Sequence, residues 1–175
     1  MLKAEGTIRL AEPEDVNAVM RIVRRAVPLM LASGNQQWNE NYPNAEVFAK
    51  DERQGELWVV AGTSADRMAI VGAMTLTTEP SLEYAAVGWD LNEPSIVAHR
   101  LVVDPEARGQ GIAKLLLRHA EELARSRKVG VIRLDTNTQN RAMRQLLEKL
   151  SYRYAGEISL TGREGLRFCC YEKRL

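Results

Sequence analysis

The sequence predicts an α/β fold, a mixed sheet covered by helices. Three observations point to it. Apolar positions alternate between the two-residue repeat of strands and the wider repeat of helices. Short turns rich in Gly, Pro, Asp and Asn separate those stretches. No internal repeat, low-complexity tract or long linker gives a second domain a place to begin, so residues 1–175 are expected to form one domain.

Thr7 to Leu10 reads as a first strand. Glu12-Pro13-Glu14-Asp15 then starts a helix, with proline in the first turn and acids at the positive end, and Val16, Val19, Met20, Val23 and Val27 form its apolar stripe. A polar stretch from Ser33 to Pro43, interrupted by Trp38 and Tyr42, leads to a short helix from Asn44 to about Arg53. Leu57 to Ala61 and Met68 to Thr77 resemble a hairpin joined by Gly62-Thr63-Ser64-Ala65-Asp66. An irregular segment, Glu79 to Pro94, carries Glu83, Tyr84 and Trp89. Ser95 to Val103 is a strand broken by Asp104-Pro105-Glu106. A helix from Gly109 to about Arg127 follows, burying Ile112, Leu115, Leu116, Ala120 and Leu123. Val129 to Leu134 is another strand. Asp135 to Thr138 turns into a helix with Met143, Leu146, Leu147 and Leu150 on one side, and Leu166 to Glu172 closes the chain as a strand. The predicted order is β-α-α-β-β-β-α-β-α-β.

Composition narrows the function classes. With 24 Lys plus Arg against 23 Asp plus Glu, the net charge of +1 offers no global field for nucleic acid or an anionic membrane, so anion binding must be local. The two cysteines, Cys169 and Cys170, are adjacent in an apolar segment, where a mutual disulfide would be strained and a metal would lack partners; buried thiols and no metal are expected. No run of about 18 apolar residues exists, and Glu5 with its polar neighbours interrupts any signal-peptide core. A cytoplasmic protein is the expectation, and a homodimer is compatible with the sequence.

The chemistry concentrates between the strand ending at Val103 and the helix after it. Arg108-Gly109-Gln110-Gly111-Ile112-Ala113 combines glycines, which let backbone approach a ligand closely, with the unpaired N–H groups of a helix start and one full positive charge. That suits a pyrophosphate. A P-loop would need Gly-Lys-Ser/Thr where Gly111 precedes Ile112, and a dinucleotide fingerprint would need a small residue at Lys114 and no Asp104–Arg108 insertion, so both fail on spacing.

The segment resembles the pyrophosphate loop of the GNAT superfamily of acyl-CoA-dependent N-acetyltransferases, whose pattern is Arg/Gln-x-x-Gly-x-Gly/Ala after a Leu-x-Val-x-Pro strand end, here Leu101-Val102-Val103-Asp104-Pro105. Ile8-Arg9-Leu10-Ala11 with Asp15 resembles the family's opening strand and helix. Ile132-Arg133-Leu134-Asp135 followed by Asn140 and Ala142 resembles its later strand and helix. The resemblance implies a mostly antiparallel sheet with two central parallel strands splayed apart at the CoA site. It implies that the backbone of Leu101, Val102 and Val103 pairs with pantetheine and polarises the thioester, that the amides of Arg108 to Ala113 hold the pyrophosphate, and that Asn140 and Arg144 approach the pantetheine or phosphates. For Asn140 helix capping is the competing role; for Arg144 it is a solvated face.

Transfer of an acyl group to an amine needs a free amine, an oxyanion stabiliser and a proton for the departing thiolate. Deprotonating a lysine-like amine at neutral pH costs roughly 4 to 5 kcal/mol. The family's usual acid is a tyrosine in a Leu-Tyr-Glu-Lys-Leu-Gly-Phe-like segment; this chain has Leu146-Leu147-Glu148-Lys149-Leu150-Ser151-Tyr152, with Leu147 at that position and Tyr152 at an aromatic core position. His99, which strand alternation places on the face of Val97 and Leu101, is a candidate base or a satisfied core histidine. Glu83 is a second candidate base or a solvated loop carboxylate. His119 falls beside Ile112, Leu116 and Leu123 and reads as packing. Trp38, Tyr42, Tyr84 and Trp89 are large aromatics in polar loops, able to bind an acceptor or anchor the loops. The reading is acetyl transfer from acetyl-CoA to a primary amine of unknown identity, on a small molecule or a peptide, directly in a ternary complex. The alternative is a non-catalytic acyl-CoA-binding regulatory module.

Overall fold

A computed structural model describes residues 6–64 and 67–175; Glu5, and Ala65 and Asp66 of the expected hairpin turn, lie outside them. The strands are β1 (Thr7–Leu10), β2 (Leu57–Ser64), β3 (Arg67–Thr77), β4 (Ile96–Val103), β5 (Val131–Asn137), β6 (Arg153–Ile158) and β7 (Phe168–Arg174). They form one sheet in the order β1-β2-β3-β4-β5-β7-β6, antiparallel throughout except for the parallel pair β4/β5. The helices are α1 (Asp15–Ala32), α2 (Ala45–Arg53), α3 (Ile112–Ser126) and α4 (Arg141–Lys149).

Strand alternation divides the core between the two faces. On one face α3 and α4 bury Ile112, Leu116, Leu117 and Leu147 against Ile96, Ile132 and Leu134. Each such side chain contributes about 1.5–3 kcal/mol. On the other, α1, α2 and the loop between them bury Val19, Val23, Trp38 and Phe48 against Leu57, Val59, Ala73 and Val102. The expected α1 stripe of Val16, Val19, Met20, Val23 and Val27 is buried throughout. Asp15 sits in that helix's first turn, accepting from the Arg9 guanidinium at 2.6 and 3.1 Å and from the Glu12 amide, which fixes the entry of α1 to β1. Gly72 of β3 admits α3: a Cβ there would come within 2.6 Å of the Ile112 side chain, so the glycine sets how closely the helix start lies on the sheet.

Several boundaries differ from the sequence expectation. β6 was not expected; Arg153-Tyr154-Ala155-Gly156-Glu157-Ile158 lacks an apolar alternation because it is an edge strand and buries only Ile158. β2 runs on through Ser64, paired with Arg67. β5 continues past Leu134 to Asn137, since Asp135, Thr136 and Asn137 pair with Cys170, Cys169 and Phe168 rather than forming the expected turn. The segment from Glu79 to Pro94 contains a 3-10 helix, Leu82–Val87. It is tied down by the buried Arg133, which donates to Glu93 at 2.6 Å, to the Asp90 carbonyl and to Glu172. Cys169 and Cys170 are free and buried on opposite faces of β7, as adjacent strand residues must be.

Candidate active site

The site is built where the parallel strands part. β4 and β5 pair at Ile96/Ile132, Val97/Arg133 and Ala98/Leu134, and beyond that each continues without pairing to the other. A bulge in β4 accompanies the divergence: Thr75 pairs with His99 and Ala73 with Val102, so Arg100 and Leu101 stand opposite Met74 alone. Arg100 takes the left-handed conformation, φ 50°, which costs a residue with a Cβ about 1–2 kcal/mol. An ion pair offsets that cost. The Arg100 guanidinium donates to both oxygens of Asp51 on α2, at 2.8 and 2.9 Å, and Asp51 also accepts from the buried Thr75 hydroxyl at 2.7 Å.

The bulge also breaks the face alternation used in the sequence reading. His99 and Arg100 both line a cleft on the α1/α2 side, while Leu101 packs into the α3 side core, so His99 and Leu101 do not share a face. The gap beyond Leu134 is bridged by Gln37, whose carboxamide oxygen accepts from the Asn137 amide at 2.9 Å and from the Thr136 hydroxyl at 3.2 Å. Gln37 thus satisfies a β5 edge donor that a parallel neighbour would otherwise take. Sequence reasoning missed it, because its partners lie about a hundred positions away.

At the other side of β4 the loop into α3 holds the predicted anion site. Asp104 ends the strand, accepting from the Glu106 amide, and Pro105–Ala107 make one 3-10 turn. Helix α3 begins at Ile112, later than expected, because Gly109 and Gly111 adopt φ of 76° and 85°. No side chain caps this helix and no acid sits in its first turn, in contrast to the Asn140 cap of α4 and Asp15 in α1. Its first amides and the positive end of its dipole therefore face an exposed loop flanked by Arg108. A Cβ on either glycine would meet no atom within 4 Å, so the loop is open to an incoming ligand.

The cleft has a volume of about 90 Å³, opens to solvent, and is lined by Gln37, Trp38, Tyr42, His99, Arg100 and Asp135, with Arg163 on one side. Trp38 is 2 % exposed and anchors its loop in the core, and Tyr42 spans the cleft wall, its hydroxyl accepting from Arg100 at 3.4 Å. Tyr84 is fully buried and donates to an Asp135 oxygen at 2.7 Å, so it supports the cleft from behind rather than contacting an acceptor. Trp89 lies outside the lining; it packs edge-on to Tyr84 and under the Arg133 guanidinium, an anchor for its segment.

Both candidate bases are held below their ordinary values. His99 is held down to about 4, by burial and by the neighbouring Arg100 charge, and its Nε2 lies 3.2 Å from the Thr77 hydroxyl. Accepting a proton from a lysine-like ammonium would be uphill by about 9 kcal/mol. Glu83 is lowered to about 2 by hydrogen bonds from Ser81 and Thr161, which clamp the 3-10 helix to the β6–β7 loop. Asp135 is the carboxylate at the cleft, and burial raises it above the usual range. Sequence reasoning placed it in a turn and gave it no role.

Asn140 caps α4 through the Met143 amide and donates to Thr136 at 2.9 Å, while Arg144 donates to the Thr138 carbonyl and to Tyr171. Both side chains are thus engaged in holding α4 to the end of β5. Leu147 is fully buried in the core, and Tyr152 packs beside it with a hydroxyl that has no partner among the described residues. His119 packs against Trp58, ring centroids 4.2 Å apart and planes tilted by 53°. Among the described residues no group of three His, Cys, Asp or Glu side chains is placed to share a metal, and no helix is long and apolar enough to cross a membrane.

Comparison with known proteins agrees with this geometry. An acetyltransferase from Streptococcus agalactiae, of the GNAT family, superimposes with a TM-score of 0.81 at 27% identity, over 100% of this chain and 99% of the other. A ribosomal-protein-alanine N-acetyltransferase from Brucella melitensis gives a TM-score of 0.68 at 25% identity, over 97% and 99%. A protein from Salmonella typhimurium, whose structure holds its cofactor acetyl-CoA, gives 0.69 at 20% identity, over 97% and 94%. No curated protein sequence matches significantly. The sequence profile of the acetyltransferase (GNAT) family matches residues 24–152, which include the parted strands, the uncapped start of α3 and most of the cleft, and the chain belongs to that family of acetyltransferases.

Proposed function

We propose that the protein moves an acetyl group from acetyl-CoA to a primary amine, directly and within a ternary complex. The observation that carries this reading is the parting of β4 from β5 beyond Ala98 and Leu134, with the cleft beside the gap and the uncapped start of α3 after the far end of β4. Acetyl-CoA bound by the Salmonella typhimurium relative supports the choice of donor. The pyrophosphate would rest on the amides of Arg108 to Ala113, and the pantetheine arm would run along the free edge of Leu101 to Val103 toward the gap. The amine would enter from the Gln37–Arg163 side.

In the reaction the ammonium loses one proton to solvent, its nitrogen attacks the thioester carbonyl, the C–S bond breaks, and the nitrogen gives up a second proton to balance the one the thiolate takes up. The net products are an N-acetylamine, free CoA and one proton. Backbone amides of Leu101 or Val102 would stabilise the oxyanion. Solvent entering the open cleft would carry the proton away, and Asp135, beside the end of the β4/β5 pairing, would hold the ammonium.

Acetyl-CoA incubated with a panel of amines tests the proposal by thiol release and product mass. Acetylated amine with stoichiometric CoA is expected. One observation favours a second reading, a module that binds acyl-CoA without turnover: the position of the family's usual tyrosine acid is the buried Leu147. Saturable acetyl-CoA binding without thiol release from any amine would support that module and remove the enzyme.

A further inference from the structure

Arg163 and Asp135 face the same cleft, close enough that the guanidinium charge favours the Asp135 carboxylate against the opposing effect of burial, yet no direct ion pair joins them among the described residues. Arg163 lies with its guanidinium carbon 3.8 Å from the Tyr42 ring centroid and donates one N–H to the Gln37 carbonyl at 3.1 Å. Among the described residues it makes no ion pair, whereas Arg100 is spent on Asp51 and Arg133 on Glu93 and Glu172. Asp135 commits one oxygen to the Tyr84 hydroxyl, and its second oxygen has no partner among the described residues. A flat guanidinium stacked on an aromatic ring keeps its remaining N–H groups in one plane, pre-set for a carboxylate. The lining therefore carries Arg100 and Arg163 against Asp135, with His99 neutral. A polycation would meet one carboxylate and, in Arg163, one repelling charge, since Arg100 is neutralised by Asp51. A zwitterion meets a partner at each end.

We infer that the acceptor is a small amine bearing its own carboxylate, an amino acid or close relative, with Arg163 receiving the carboxylate and Asp135 the ammonium. This rests on the acetyl-transfer reading above and narrows it. Asp135 lies on β5 just past the last paired residue, Leu134, so an ammonium held there sits at the mouth of the gap.

The test is acetylation by the intact protein of free amino acids, of the same amino acids as carboxamides, of spermidine and of short peptides. The wild-type protein should prefer at least one amino acid over its carboxamide by 10-fold or more in kcat/KM. Arg163→Gln should raise the amino-acid KM by about 30-fold, the worth of a charge-assisted pair, erase the preference over the carboxamide and leave the acetyl-CoA KM unchanged. Arg163→Lys should recover part of it. Asp135→Asn should weaken acid and carboxamide alike. Wild-type turnover that favours spermidine, carboxamides or peptides overturns the acceptor class while leaving acetyl transfer intact, as does a preference that survives Arg163→Gln. Acetyl-CoA binding without turnover of any amine overturns both.

Discussion

Replacing Asp51 with alanine tests whether the β4 bulge is held by its ion pair. The substitution removes both acceptors of the Arg100 guanidinium, at 2.8 and 2.9 Å, and the acceptor of Thr75, which is fully buried. Breaking a buried pair on one side costs about 3–5 kcal/mol, because the remaining charge stays buried without a partner. The Arg100 side chain retains 17 % exposure and can draw in water, which places the loss near the low end, about 3 kcal/mol. For a domain of this size that is roughly 6–12 °C in Tm. Chemical denaturation of the wild type, Asp51→Ala, Arg100→Leu and the double variant gives the coupling directly. The double variant should lose about 2 kcal/mol less than the sum of the singles. A loss below about 1 kcal/mol for Asp51→Ala, or additive singles, would show that the pair does not hold the bulge.

Two further outcomes follow from the shifted groups. His99 lies below its ordinary value in the folded state, so its neutral form favours folding: that contribution is complete above pH 6.5 and is lost as pH falls from 6.5 through about 4, by up to about 3 kcal/mol. His99→Gln should flatten that part of the stability–pH curve, and parallel curves for the two proteins would contradict the burial argument. Glu83 contributes stability present above pH 4.5 and lost as pH falls toward 2; after solvent screening its replacement by glutamine should cost about 1 kcal/mol at pH 7. Thiol release should be unchanged in Glu83→Gln, and a 10-fold fall with normal acetyl-CoA affinity would return Glu83 to the chemistry.

The parts of the fold that the sequence made legible are those where local pattern and tertiary burial agree. α1 shows its stripe from Val16 to Val27, and the break at Asp104-Pro105 marks the end of β4 because proline cannot continue the ladder. The Arg108–Ala113 loop was legible because glycine at positive φ leaves a compositional trace. Asp135 was not: a polar run after Leu134 reads as a turn, and only pairing with β7 extends it as a strand. Nor was the bulge at Arg100, since nothing local marks a left-handed arginine whose cost is met by Asp51 from another helix. β6 escaped notice because an edge strand with one buried side chain lacks the two-residue rhythm. Gln37 and Arg163 entered the cleft from loops whose positions are fixed by distant contacts.

Calorimetric titration of acetyl-CoA into the wild type, Gly111→Asp and Gly111→Asn tests the placement of the cofactor most directly. Both substituents are of similar size and tolerate positive φ, and neither would meet a neighbouring atom at Cβ. They differ in setting a carboxylate or a neutral amide against the uncapped start of α3. The account predicts that Gly111→Asn keeps most of the affinity while Gly111→Asp loses it by about 100-fold or more, the result of a like charge facing the pyrophosphate. Equal affinity in the two variants would contradict it, and would move the CoA pyrophosphate away from this helix.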